Sequence, residues 1–157
     1  MTVTRRELML VLLVLGLVLL VWYLVPSEED RILERLEQAA LALEHEDTRG
    51  VMSVIDREHF TDPIGYGPAE IEHGLDEAFG MFDSIEVVME RPRIRIEEGE
   101  RRAQVTLRFV ITGIYEGQFG FIVGTTQETA LARFTMDKSP ESGWRVTEIT
   151  AAVVPEI

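Results

Sequence analysis

The chain has 157 residues and a formal net charge of -13, and Arg5, Arg6 and Glu7, the charged residues of the first 25, contribute +1, leaving -14 for the remainder. A surface that acidic repels phosphate backbones, so nucleic acid is not an expected partner. The absence of cysteine excludes disulfides, thiolate zinc sites and iron–sulfur clusters, and the length beyond the first 25 residues suits one ordinary domain with its own core.

Leu8 to Val25 is an uncharged run, LMLVLLVLGLVLLVWYLV. At about 1.5 Å per residue it makes roughly 27 Å of helix, close to the thickness of a hydrocarbon core. Arg5 and Arg6 flank one end, while Trp22 and Tyr23 sit at the other, where aromatic rings favour the membrane interface. The following Pro26-Ser27-Glu28-Glu29-Asp30 is acidic, so the positive-inside rule puts residues 1–7 in the cytoplasm and residues 26–157 outside. A single-pass anchor in a bacterial inner membrane, with a periplasmic domain, is the expectation. The alternative is a cleaved signal peptide, but Val21-Trp22-Tyr23-Leu24-Val25 offers no small pair for cleavage. Lys138 is the only lysine against fourteen arginines and there is no asparagine, which excludes N-glycosylation and fits either a GC-rich genome or thermal adaptation.

Residues 28–46 are expected to form an amphipathic helix with Ser27 as N-cap and acids in its first turn. Ile32, Leu36, Ala39, Ala40 and Leu43 form its apolar stripe. Asp47 is expected to cap a second helix from Thr48 to Ile55. His59 to Pro68 is rich in turn residues. A third helix begins near Ala69 and sets Ile71, Leu75, Ala78, Phe79 and Phe82 on one side. Beyond Asp83 the period changes to two. Strands are predicted around Ile85–Met89, Ile94–Ile96, Ala103–Ile111, Ala130–Met136 and Trp144–Val146. Helices followed by antiparallel strands give an α+β domain, with about three helices on one face of a curved sheet.

This order resembles the nuclear transport factor 2-like superfamily, which includes ketosteroid isomerase and the SnoaL-type cyclases. The match runs over about residues 28–154. It is carried by Phe60-Thr61-Asp62-Pro63-Ile64-Gly65, by the helix opening at Pro68-Ala69-Glu70-Ile71, and by Gly143-Trp144-Arg145-Val146-Thr147. The resemblance implies a cone-shaped domain with a pocket between helices and sheet. Members of this fold catalyse several reactions or none, so it does not fix an activity. It puts Asp62 where the isomerases keep their general base, and the oxyanion-hole tyrosine and aspartate fall near Ala39 and Ala132, neither of which can donate a hydrogen bond. The plainer reading of Asp62-Pro63 is a turn element.

His45, His59 and His73 do not fall at helical ligand spacing, and no metal or cofactor is expected. His59 lies near enough to Asp62 for a histidine–aspartate pair, the weak catalytic alternative. No nucleophile elbow or phosphate loop occurs; Gly117, Gly120 and Gly124 are expected to bend strands or close a hairpin. Arg91-Pro92-Arg93-Ile94-Arg95 with Arg101-Arg102 is the one basic cluster. Glu90, Glu97, Glu98 and Glu100 interleave it, so the expectation is a solvated cross-strand charge ladder, with an acidic-ligand site as the alternative.

Ile114 to Val123 is apolar where a connection should be short and polar. Ile114, Tyr115, Phe119, Phe121, Ile122 and Val123 are therefore the expected partner contact, with a lid over the pocket as the alternative. The expected function is a non-catalytic, membrane-anchored interaction or assembly domain of a bacterial membrane complex. Its partners are the bilayer through residues 8–25 and a protein or second copy. In layout it resembles the inner-membrane assembly subunit of type IV secretion systems and membrane proteins of lipid-import complexes. The alternative is a tethered SnoaL- or isomerase-type enzyme acting on a hydrophobic small molecule through Asp62.

Overall fold

The computed structural model describes residues 12–17, 19–20 and 25–155. Residues 12–17, 19 and 20 are helical, and Leu12, Leu13, Val14, Leu15, Leu17, Leu19 and Leu20 are all exposed. No helix among the described residues is long and apolar enough to cross a membrane. Much of the expected span, with Arg5, Arg6, Trp22 and Tyr23, lies outside the described residues.

The domain opens with α1 (Glu28–Glu44). Ser27 and Asp30 form a reciprocal capping box: Asp30 N donates to Ser27 Oγ at 3.1 Å and Ser27 N donates to Asp30 Oδ2 at 2.9 Å. Two of the helix's orphan N-terminal donors are thereby satisfied. Ile32, Leu36, Ala40 and Ala42 are buried, whereas Ala39 and Leu43 are only half-buried. Helix α2 (Thr48–Met52) is shorter than expected and Asp47 makes no side-chain cap bond. The chain leaves the helix after Met52 because Ile55 bridges Val146 and Thr61 bridges Glu148, which turns this segment along the edge of the sheet. Helix α3 (Pro68–Met81) starts with proline in its first turn and has no fully buried residue. Its predicted apolar side, from Ile71 to Phe82, is only half-covered.

Among the described residues six strands make one antiparallel sheet: β1 (Ser84–Met89), β2 (Arg93–Ile96), β3 (Arg102–Tyr115), β4 (Gln118–Val123), β5 (Ala130–Ser139) and β6 (Gly143–Val153). The long β3 is shared. Along one side it pairs first with β2 and then with β1; along the other it pairs with β5 and then with β4. Strand β6 lies beyond β5. Alternation on β3 and β5 sends Ala103, Val105, Leu107, Phe134 and Met136 to the face covered by α1, where they pack with Ile32, Leu36 and Trp144. The opposite positions, among them Gln104, Thr106, Arg108, Arg133 and Thr135, make up the other face.

Candidate functional site

The segment Ile114–Val123 is not a connection but the upper half of a hairpin. Ile114 pairs with Phe119 and Tyr115 with Gln118. The two residues between, Glu116 and Gly117, have φ of 50° and 76°. Positive φ at both central positions is the type I′ geometry, whose twist matches that of the flanking strands. The loss of strict alternation has a local cause: Ile111 pairs with Val123 while Thr112 pairs with Phe121, so Ile122 is the extra residue of a β-bulge.

The hairpin carries its apolar side chains into the open. Phe119 is 67% exposed and Tyr115 51%, Phe121 is also exposed, and Ile114, Ile122 and Val123 are half-buried. Phe119 and Phe121 meet edge-to-face at 6.1 Å, and Tyr115 meets Phe82 at 6.2 Å in the same manner. Since Phe82 follows α3, that contact joins the half-covered helix to the hairpin. Met81, Phe82, Tyr115, Gln118, Phe121 and Ile122 line an open groove of about 450 Å³. Strand β4 pairs only with β3 among the described residues, so its outer backbone edge is open.

The catalytic candidates do not converge. Asp62 Oδ1 accepts from Ile64 N at 2.8 Å, and Asp62 O accepts from Gly65 N at 3.0 Å, which is a turn-forming arrangement. His59 pairs with Asp56 rather than Asp62, its Nδ1 lying 3.1 Å from Asp56 Oδ1. The same carboxylate oxygen accepts from Glu58 N and His59 N, each at 3.0 Å. Burial pushes the Asp56 carboxyl up, but these three bonds and the nearby imidazole outweigh it and hold the pKa below its usual value. Sequence proximity to Asp62 obscured this pair, although Asp56 and His59 have the i, i+3 spacing of a turn. Ala39 is half-buried, and Ala132 packs against the main core, so neither supplies a polar group.

Near that pair, Asp137 accepts a fork from Arg102, Nε at 2.7 Å and Nη2 at 3.0 Å, and a bond from Thr147 Oγ1 at 2.9 Å. The Arg102 bond is the main reason its carboxyl is held down. The cleft of about 310 Å³ between these groups includes Asp56, His59, Thr61, Asp137 and Thr147. It joins the last strands to the 55–61 segment and contains no Asp62. No group of three or more histidines and carboxylates suited to a metal occurs among the described residues. His45 Nδ1 lies 2.7 Å from Leu41 O at the end of α1, and His73 sits exposed 3.4 Å from Glu77.

Solved structures share this architecture at low sequence identity. A nuclear transport factor 2-like superfamily protein from Salmonella enterica serovar Typhimurium aligns with a TM-score of 0.66 and 16% identity, over 83% of this chain and 92% of that one. A nuclear transport factor 2-like protein with a cystatin-like fold from Novosphingobium aromaticivorans aligns at 0.60 and 15%, over 93% and 87%. A protein of the same organism designated a candidate scytalone dehydratase aligns at 0.62 and 13%, over 80% and 86%. No protein-family model matches the sequence, and no curated protein is a detectable relative. The chain therefore has the nuclear transport factor 2-like, cystatin-like α+β fold.

Proposed function

We propose that this chain is a membrane-anchored, non-catalytic interaction domain, an accessory subunit of a bacterial membrane complex, which docks a protein partner on its β3–β4 hairpin. The observation that carries the reading is Phe119, 67% exposed beside Phe121 on a strand with an open edge. Contiguous exposed apolar surface marks binding sites, and an unpaired edge strand accepts a strand from a partner. The groove beside Phe82 would take an apolar side chain of that partner. The anchor is residues 8–25, with the domain on the periplasmic side. Its support is the uncharged run itself and the exposed leucines of residues 12–20.

The second reading, a tethered isomerase- or dehydratase-type enzyme, draws on the neighbour designated a candidate scytalone dehydratase. It would need Asp62 released from the Ile64 amide and a second polar group facing it to stabilise developing charge.

The test is purification of the full chain in mild detergent from its host, as wild type and as Phe119→Ser/Phe121→Ser. A defined protein that accompanies the wild type stoichiometrically and is lost from a variant that still unfolds cooperatively above the purification temperature supports the hairpin as the dock. Retention of the same partner by the variant overturns it.

A further inference from the structure

The basic run of the sequence has no role in the hairpin reading, and strand register gives it a different setting from the expected charge ladder. Arg93 on β2 stands opposite Thr106 on β3, and Thr106 stands opposite Arg133 on β5. One step along, Arg108 stands opposite Leu131, and its carbonyl accepts from the Glu90 amide at 2.9 Å, which brings Arg91 alongside. Arg91, Arg93, Arg108 and Arg133 thus surround Thr106, and with Glu90 they line a depression of about 170 Å³. It shares Thr106 and Arg133 with an adjoining polar basin of about 400 Å³ that includes Gln104, Thr135 and Thr150 together with Arg102, Glu97 and Glu148.

Among the described residues, no carboxylate lies within ion-pair distance of any of the four guanidiniums, though Asp30 feels the charge of Arg91 without pairing with it; the ion pair of this face joins Arg102 to Asp137. Arg108 Nη1 reaches only Thr129 Oγ1, at 3.5 Å. Like charges on neighbouring strand positions repel, and four of them gather here in a chain of net charge -13. Two of the four, Arg108 and Arg133, lie outside the basic run in sequence, Arg108 further along β3 and Arg133 on β5. A planar guanidinium presents paired N–H groups that match the oxygens of a tetrahedral anion.

We propose that Arg91, Arg93, Arg108 and Arg133 form a binding site for a phosphate-class anion on the open face of the sheet, with Thr106 at its floor. Arg93 and Arg133, flanking Thr106 from opposite strands, grip the anion from two sides. Arg91 and Arg108 supply charge; in the adjoining basin Gln104, Thr135 and Thr150 offer hydrogen bonds, and its Glu97 and Glu148 favour a ligand whose remaining part is uncharged or cationic. The same chemistry would serve a free phosphate ester or the headgroup of an anionic lipid.

The experiment uses the full chain in nanodiscs and pyrophosphate as the probe, read by titration calorimetry at low salt. In phosphatidylcholine discs, saturable binding is expected, weakened at least tenfold by Arg93→Gln or Arg133→Gln and unchanged by Arg57→Gln, which lies elsewhere and pairs with Glu72. Equal affinity in phosphatidylglycerol discs identifies a free anion as the ligand. Affinity lost in those discs identifies the lipid headgroup as the occupant. A second readout needs no ligand: Arg133→Gln should raise the melting temperature at low salt, because it removes repulsion. No saturable binding in phosphatidylcholine discs, or binding that survives both substitutions, overturns the site. So does a change of oligomeric state in the variants without any pyrophosphate effect, which would assign the face to a second copy.

Discussion

The indole Nε1–H of Trp144 donates to Glu28 Oε2 at 2.8 Å, joining residues 116 positions apart. Lys138 Nζ lies 2.8 Å from the same oxygen, so the first residue of α1 is tied to both β5 and β6. The Lys138 bond is the chief cause that holds the Glu28 carboxyl below its usual value of 4.5; burial opposes it, and the Trp144 bond adds to it. A depressed carboxylate contributes stability that is present above the unfolded pKa and is lost as pH falls through the folded one. Glu28→Gln keeps an acceptor for Trp144 but loses the ion pair and the dipole-favouring charge. It should cost roughly 1–2 kcal/mol at neutral pH. Urea unfolding should show wild type and variant converging as pH falls below 4.5, and a difference that persists there would refute the ion-pair account.

Asp62 is expected to act through the turn. Asp62→Ala removes the acceptor of the Ile64 amide and should cost about 0.5–1.5 kcal/mol. Asp62→Asn should be milder, because its amide oxygen still accepts. Thermal melts of the two variants give the ranking directly. A loss of some measured isomerase or hydrolase turnover in Asp62→Asn, at an unchanged melting temperature, would instead favour the enzymatic reading.

The hairpin turn offers a test of register. Gly117 has φ of 76°, which a β-branched residue adopts only at a cost of roughly 1–2 kcal/mol. Gly117→Val should therefore destabilise by about that amount, while Glu116→Asn should stabilise by roughly 0.5 kcal/mol, since asparagine tolerates positive φ. Opposite signs in chemical denaturation would confirm the type I′ turn.

Phe119→Ser and Phe121→Ser separate surface from core. Phe119, 67% exposed, should change stability by only about 0.5 kcal/mol as serine, whereas Phe121, 36% exposed and lining the groove, should cost about 1–2 kcal/mol. Large-to-small changes at packed sites cost about 3 kcal/mol or more. A collapse of the melting temperature in either single variant would remove the hairpin from consideration as a dock.

Topology is open to chemistry because the native chain has no cysteine. Ser142→Cys, in the β5–β6 connection, should react with an impermeant thiol reagent in intact spheroplasts. Labelling only after lysis would reverse the orientation, and a mature chain beginning beyond Val25 would show cleavage.

The sequence determined the parts of this protein whose cause is local. Ser27 and Asp30 announce the start of α1 because a capping box needs only residues three apart. The alternation from Ala103 to Leu107 announces β3 because side chains on a strand change face at every residue. Both signals survive whatever packs around them. Helix α2 ends at Met52 and not at Ile55 because a strand nearly a hundred residues later bonds to that segment. His59 chose Asp56 over Asp62 because a tight turn brings Asp56 Oδ1 to its backbone and ring together. The Ile114–Val123 run read as an anomalous connection because a bulge at Ile122 interrupts the period that would have marked it as strand. The arginine cluster needed the fold most of all. Arg91 and Arg93 are neighbours in the chain, but Arg133 joins them only because β3 lies between β2 and β5 with Thr106 in register with both. Cross-strand proximity is a property of pairing, and pairing is settled by the competition of every strand for the same core.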